Sequence, residues 1–318
     1  MPSSISSFEP LTRAGAKTGS RFRSWILYTL VCLACFCTLV ELLTRIGFTR
    51  ISHIESRTAE EHKAALRVRQ PLTALTMLIL GNSLPLEGID LPQLKAAFEG
   101  RANITRFVIE QTEYLDWYYG IRRLFQDGSK PTIVILCIDM KHLLSQQIRG
   151  DYSAFYLFQL QDIPAVSRDA GYDLTQASGL VFAHYSLFYA GRTSLRNFLL
   201  NRIDPPYANL LHNLGNAQAK NTVRRYEETA VTERLASLRL LCREKGSRFI
   251  FLLPPGFNTS EQRLLSAGER TGTTVMIPIH LNAFGSDKFR DGYHLNEVGR
   301  HIFTKELASR LQRYLEAH

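Results

Sequence analysis

Apolar positions along this chain follow three patterns. From Ser24 to Leu43, SWILYTLVCLACFCTLVELL, they are almost unbroken, with Glu41 the one charge, near the far end. From about residue 72 they come as short runs: LTMLIL (75–80), ITRFVIE (104–110), TIVILCID (132–139), RFIFLLPP (248–255) and TVMIPI (274–279). Runs this continuous and this rich in Ile, Val, Leu and Phe predict parallel strands covered on both faces. Between them the period changes. In EYLDWYYGIRRLF (113–125), Tyr114, Trp117, Ile121, Leu124 and Phe125 share one helical face, and helical patterns also cover 226–245, 259–270 and 297–316. Strand and helix in alternation predict a doubly wound parallel sheet. From about 145 to 221 the alternation fails. DYSAFYLFQL and VFAHYSLFYAGRTSLRNFLL are aromatic and helical in pattern, and DPPY (204–207) marks a turn, so this stretch is expected as a helical insertion. No internal repeat is evident.

The first pattern has the length needed to cross a bilayer. No small-x-small cleavage site follows it, and its cysteines lack the Leu-small-small-Cys context of a lipoprotein signal, so a signal-anchor is the expectation. The domain reading is a cytoplasmic tail at 1–23, a transmembrane signal-anchor at 24–43, a juxtamembrane helix or stalk at 44–70, and a folded α/β domain at 71–318. Arg13, Lys17, Arg21 and Arg23 precede the span and favour an inside N-terminus, although Arg45, Arg50 and Arg57 follow it closely. The expected location is a cell inner membrane, single-pass, with the C-terminal domain extracytoplasmic (periplasmic).

The 318 residues carry a net charge of +9, which raises the question of nucleic acid. The charge is scattered, and no dense basic stretch interleaves with aromatics, so the expected partner is a lipid bilayer and no nucleic acid. Of five cysteines, Cys32, Cys35 and Cys37 lie inside the apolar run, while Cys137 and Cys242 sit in separate strand-like and helix-like segments. They form neither a disulfide framework nor a zinc site.

Chemistry in open α/β sheets gathers outside the carboxyl ends of the strands. Ser83 lies there, just after the first run. Near the C-terminus, Asp291 and His294 stand three residues apart in the loop before the last helical pattern. Such a loop can turn both side chains inward, the carboxylate orienting the imidazole and the imidazole taking the serine proton. Each residue also has an ordinary use: Ser83 as a helix cap, Asp291 as a turn former, His294 as packing, with Asn296 the natural N-cap of the last helix.

Gly81-Asn82-Ser83-Leu84 after the first strand, with Asp291-Gly292-Tyr293-His294 before the last helix, resembles the SGNH (GDSL-like) hydrolase superfamily over roughly 75–316. The resemblance implies a three-layer α/β/α flavodoxin-like parallel sheet, here with a helical insertion and one preceding N-terminal transmembrane helix. It implies acyl-ester hydrolysis or transfer by Ser83, His294 and Asp291 without a cofactor. Membrane-anchored members often modify cell-envelope polysaccharides, which implies a glycan or acyl-ester substrate and envelope-assembly proteins as partners. The chain departs from the family at three places. Asn82 stands where Asp is usual; IEQTEYLDW after the second strand lacks the oxyanion glycine; CIDMKHLL after the third lacks the oxyanion asparagine. The Ser83 amide, Gln111 and Thr112 are the oxyanion candidates that remain, and Asn82, Asp139 and His142, with Lys141, are pocket-lining candidates. The departures also support a different reading, a catalytically degenerate scaffold or glycan-binding component of a membrane assembly.

Other residues have both a sharp and a plain reading. Trp117, Tyr118 and Tyr119 suit helix packing more than sugar stacking. Arg192 and Arg196 suit a solvated face more than an anion site. His294 and His301 find no third ligand at useful spacing, so no metal is expected.

Overall fold

The five apolar runs pair as one parallel sheet in the order β2-β1-β3-β4-β5, with β1 at Leu75–Gly81, β2 at Ala102–Val108, β3 at Ile133–Cys137, β4 at Arg248–Leu252 and β5 at Thr274–Met276. The structure, a computed structural model, describes residues 18–48, 50, 52–69, 74–203, 228–256, 261–280 and 283–317. The strand order is that of a flavodoxin-like doubly wound fold, whose ligand crevice opens where β1 and β3 diverge. Gly81, the last residue of β1, pairs with Val108 of β2 on one side and Cys137 of β3 on the other.

Continuous hydrophobicity has a direct cause here. Leu78, Leu80, Val134, Leu136, Phe249 and Phe251 enter one core. The residues alternating with them, Met77, Ile79, Ile133, Ile135, Ile250 and Leu252, enter a second core on the opposite face. Helices α5 (Tyr114–Gln126), α11 (Glu228–Glu244) and α12 (Glu261–Thr271) cover the first face. Helices α4 (Leu91–Ala97) and α13 (Glu297–Glu316) cover the second, through Leu94, Phe303, Leu307 and Leu311. Four strands stop short of the runs that predicted them, β2 ending at Val108. Asp139 leaves the ladder to cap a helix, Pro254 and Pro255 have no N–H to continue β4, and Pro278 follows β5 in the same way.

The stretch 44–70 is not a free stalk. Helix α2 (His53–Leu66) packs along the edge strand β2 and buries Glu55, Thr58 and Ala65. The Glu61 carboxylate accepts from the Arg106 guanidinium (2.8 Å) and from the Val108 N–H (3.0 Å), closing an edge that would otherwise invite another strand. Arg57 pairs with Glu110 at 2.6 Å, so α2 also holds the loop that leaves β2.

Helix α1 (Thr18–Leu43) runs into one π-helical turn, Thr44–Phe48. Phe22–Gly47 is long and apolar enough to cross a membrane, and its apolar side chains from Phe22 to Leu39 are largely exposed. Its 26 residues measure about 39 Å, against about 30 Å of hydrocarbon. Residues 1–17 of the expected tail lie outside the described residues. So do 204–221 of the insertion, 226–227 and 259–260 of two helical patterns, and 318.

The described part of the insertion contains α7 (Asp151–Tyr156), α8 (Ile163–Asp169), α9 (Leu174–Tyr185) and α10 (Leu187–Ile203). Its Tyr152, Phe158, Leu180 and Leu187 join the core that holds Trp117 and Tyr119. Gly120 of α5 lets Leu157 approach, since a Cβ there would meet its side chain at 3.0 Å.

Candidate active site

Ser83 is the first residue of a short helix, α3 (Ser83–Gly88), directly beyond the end of β1. Two neighbours make that abrupt exit. Gly81 has φ +153°, and a Cβ on it would run into the Cys137 carbonyl and stand 2.7 Å from Pro85, so only glycine lets β1 and β3 meet this closely. Asn82 is buried; its Oδ1 accepts from the Leu84 N–H (3.0 Å) and its Nδ2 donates to the Thr112 carbonyl (3.3 Å). An ionised Asp could make the first bond and not the second, which accounts for the amide at this position.

The second half of the site comes from the loop before α13. Asp291 Oδ1 accepts from the N–H groups of Tyr293 (3.0 Å) and His294 (2.7 Å), and Gly292, at φ +77°, supplies the left-handed residue the tight turn requires. Arg290 N–H donates to the His294 carbonyl (2.8 Å), while Asn296 caps α13 through the Gly299 N–H (2.9 Å). Held in this way, the His294 ring bridges two partners. Its Nδ1 lies 2.8 Å from Asp291 Oδ2 and its Nε2 lies 2.9 Å from Ser83 Oγ. With the carboxylate fixing the proton on Nδ1, Nε2 presents its lone pair to the serine hydroxyl. Burial would raise the Asp291 carboxyl, but the His294 amide and ring and the Tyr293 amide hold it down at about 2. The chain thus brings together the three residues expected to act as a unit, from loops 211 positions apart.

A second histidine–aspartate pair stands beside the first. Asp139 caps helix α6 (Met140–Leu144) through the His142 N–H (2.8 Å), and its Oδ1 lies 2.6 Å from His142 Nδ1. Its other oxygen accepts from the Tyr293 hydroxyl at 3.0 Å. Tyr293 and His294 are consecutive, their rings edge to face with centroids 5.0 Å apart, so one loop reaches the exits of β1 and β3 with adjacent side chains. Burial would lower the His142 imidazole, yet the Asp139 hydrogen bond and charge, with Glu113, raise it on balance. For Asp139, burial is outweighed in the same way by His142 and Tyr293, and its carboxyl is lowered. Glu113 is pushed up to about 7 by burial, with Asp116 and Asp139 adding to the shift and His142 opposing it.

The oxyanion candidates separate clearly. Thr112 is buried and its hydroxyl is committed, donating to the Ile109 carbonyl (2.6 Å) and accepting from Trp117 Nε1 (2.8 Å); as a side-chain donor to substrate it is ruled out. Gln111 is exposed and adopts φ +61°, the one left-handed residue other than glycine among the described residues. It therefore takes up a glycine-like backbone at the place where the resemblance calls for glycine, and its amide makes no hydrogen bond among the described residues. Lys141 is exposed. Trp117 is fully buried against Phe107, and Tyr119 donates to Asp169, so these two rings pack and cannot stack on a sugar. Both ring nitrogens of His294 are occupied, which leaves none for a metal shared with the exposed His301. Arg192 pairs with Asp151 at 2.5 Å, and Arg196 is exposed. Tyr293 was not singled out from the sequence, although it stands inside the Asp-x-x-His motif. Only its reach to Asp139, 154 positions away, gives it a place in the site.

No protein-family profile matches the chain, and no curated protein matches it in sequence. Solved structures similar to it include an α/β hydrolase enzyme from the metagenome of Lake Arreo, Spain, at 12% identity and TM-score 0.39, covering 77% of this chain and 96% of that one. A GDSL-like lipase from Bacteroides thetaiotaomicron is similar at 11% identity and TM-score 0.40, covering 81% and 97%. A psychrotrophic esterase from Pseudoalteromonas is similar at 12% identity and TM-score 0.39, covering 76% and 98%.

Proposed function

We propose that this chain is a membrane-anchored SGNH-type serine esterase or O-acyltransferase that acts on a cell-envelope polysaccharide. The observation that carries the reading is the unbroken contact from Asp291 through His294 to Ser83, at 2.8 and 2.9 Å. Ser83 Oγ attacks the acyl carbonyl carbon while its proton passes to His294 Nε2. The tetrahedral intermediate collapses, the C–O bond to the leaving alkoxide breaks, and His294 returns the proton to that oxygen. Water or an acceptor hydroxyl then gives its proton to His294, attacks the acyl-enzyme, and releases Ser83. Asp291 keeps the imidazole oriented and stabilises the imidazolium in both halves.

Developing negative charge on the carbonyl oxygen needs donors placed beforehand, each worth about a hundred- to a thousand-fold. The amides of Ser83 and Gln111 serve, the latter because its left-handed backbone replaces the expected glycine. Where asparagine is expected after β3, His142 takes that role as the imidazolium that Asp139 and Glu113 favour, donating from Nε2–H, the ring position its pairing with Asp139 and Tyr293 leaves over. Residues 24–43 anchor the protein in a cell inner membrane, with the tail cytoplasmic and residues 71–318 extracytoplasmic, where a glycan and envelope-assembly proteins are within reach.

A fluorophosphonate probe on the full chain tests the mechanism, with the adduct mapped by mass spectrometry. An adduct on Ser83 that disappears in His294→Ala is the expected result. No adduct on folded protein overturns it and favours the scaffold reading, which the absent glycine and asparagine support. Complementation of a deletion strain by Ser83→Ala would count for that scaffold.

A further inference from the structure

Apolar residues outside the candidate span are unevenly exposed. Twelve large ones are exposed among the described residues, and seven of them, Leu174, Val181, Phe182, Tyr185, Phe188, Leu199 and Ile203, lie on α9 and α10. Phe182 and Tyr185 are 63% and 62% exposed. Neither helix contains an Asp or Glu, while α10 carries Arg192, Arg196 and Arg202. Exposed aromatics with basic residues and no acids fit the interfacial layer of an anionic bilayer, where rings sit at headgroup level and arginine meets phosphate.

The span itself fixes where these helices stand. Glu41, in its last two turns, caps the N-terminus of α10: its carboxylate accepts from the Ser186 hydroxyl (2.8 Å) and from the N–H groups of Leu187 (2.9 Å) and Phe188 (3.1 Å). Arg45 pairs with Glu41 at 2.6 Å, donates to the Tyr185 carbonyl (3.2 Å) and lies over the Phe155 ring. The junction of α9 and α10 is therefore level with the end of the apolar helix, where a membrane surface would be. A capped helix end together with an arginine bound at two further points is a dock, unlike a flexible tether. Helix α2, packed on β2 only five positions beyond the π turn, keeps the domain close to the same level.

We infer that α9 and α10 form a second membrane contact, lying in the headgroup layer of the anionic phospholipid bilayer that α1 crosses. This inference rests on the anchor reading of residues 24–43. The catalytic domain is then clamped to the membrane surface by its insertion, and its site works at a fixed height above the lipid.

The native cysteines make the two ideas separable. Cys137 and Cys242 are buried, and Cys32, Cys35 and Cys37 lie in the span. The full chain is reconstituted in vesicles of phosphatidylethanolamine and phosphatidylglycerol, with one nitroxide at a time. The positions are Cys35, Phe182→Cys, and Val298→Cys on α13, which covers the opposite face of the sheet. The span cysteines not under study are changed to serine. Collision rates with oxygen and with a water-soluble nickel chelate give depth. The expected result is a deep label at Cys35, a shallow lipid position at 182 and an aqueous one at 298. A deep Cys35 with 182 as aqueous as 298 overturns the membrane contact and leaves the anchor standing. A label at 182 shielded from both reagents overturns it in favour of a protein partner or a second copy. An aqueous Cys35 overturns the anchor, and the membrane contact with it.

Discussion

Two histidine–aspartate pairs stand at adjacent strand exits, built on the same i, i+3 spacing, and they differ in exposure and in what meets the rest of the ring. Asp291 is 45% exposed and Asp139 15%. His294 uses both ring nitrogens, Nδ1 held by a carboxylate and Nε2 facing the Ser83 hydroxyl, so Nε2 can take and return the serine proton. His142 directs one nitrogen into a buried set of Asp139 and Tyr293, so it is held as a fixed group. Spacing alone gives a carboxylate–imidazole contact. Whether that contact becomes a relay or a brace depends on what meets the far nitrogen and on how much water reaches the acid.

The sharpest way to break the comparison is to remove the relay. Ser83→Ala and His294→Ala each predict a loss of ester turnover of at least roughly a thousand-fold, with the fold intact by circular dichroism. If turnover persists, the relay is a coincidence of packing. Asp291→Asn predicts less. A buried triad aspartate changed to asparagine costs about ten-thousand-fold, but a carboxylate this open to water contributes a weaker field, and about a hundred-fold is expected. Asp291 is held down at about 2, so its own protonation does not shape kcat/KM near neutral pH.

The brace should show the opposite profile. His142→Ala predicts a fall of about a hundred-fold in kcat with KM little changed, as expected for a donor used only in the transition state. Asp139→Ala removes a helix cap and both bonds to His142 and Tyr293, and predicts about 2–3 kcal/mol of lost stability by chemical denaturation. An Asp139→Ala protein as stable as the parent would mean that the pair is not a brace.

How much of this was legible depends on what each feature requires. Two-sided burial writes itself as unbroken runs of Ile, Val, Leu and Phe, so all five strands and a doubly wound parallel sheet could be anticipated, and the resemblance implied its flavodoxin-like form. Local turns were legible too, because the positive φ of Gly81 and Gly292 and the two loop amides that Asp291 accepts are set within a few residues. The brace was not. Nothing near Tyr293 says that its hydroxyl meets Asp139, since that contact depends on how the last loop crosses the sheet. Nor does IEQTE announce that Gln111 takes a left-handed backbone in place of glycine. The residues on either side of it are pinned by distant partners, Thr112 by Asn82 and Glu110 by α2. The fit of α2 along β2 was hidden for the same reason: its partners, Arg106 and Val108, are more than forty residues away.

The smallest effect expected comes from Glu113, which faces the brace. One of its carboxylate oxygens is buried with no hydrogen-bond partner among the described residues, and its folded pKa is about 7. A carboxyl raised above its unfolded value near 4.3 binds its proton more tightly when folded. Stability therefore falls as pH rises from about 4 to about 7, and the whole penalty is present above that. His142, raised on balance, acts in the same direction, contributing stability that is lost as pH rises through its folded pKa. Glu113→Gln should match the parent at pH 4 and exceed it at pH 8 by on the order of 1 kcal/mol. The full shift would give more, but the variant also loses the attraction between Glu113 and His142. Denaturant melts at the two pH values check this. A gap of the same size at both would place the gain in packing, and a gap confined to pH 8 would show that the carboxylate is held beside the brace at a cost in stability.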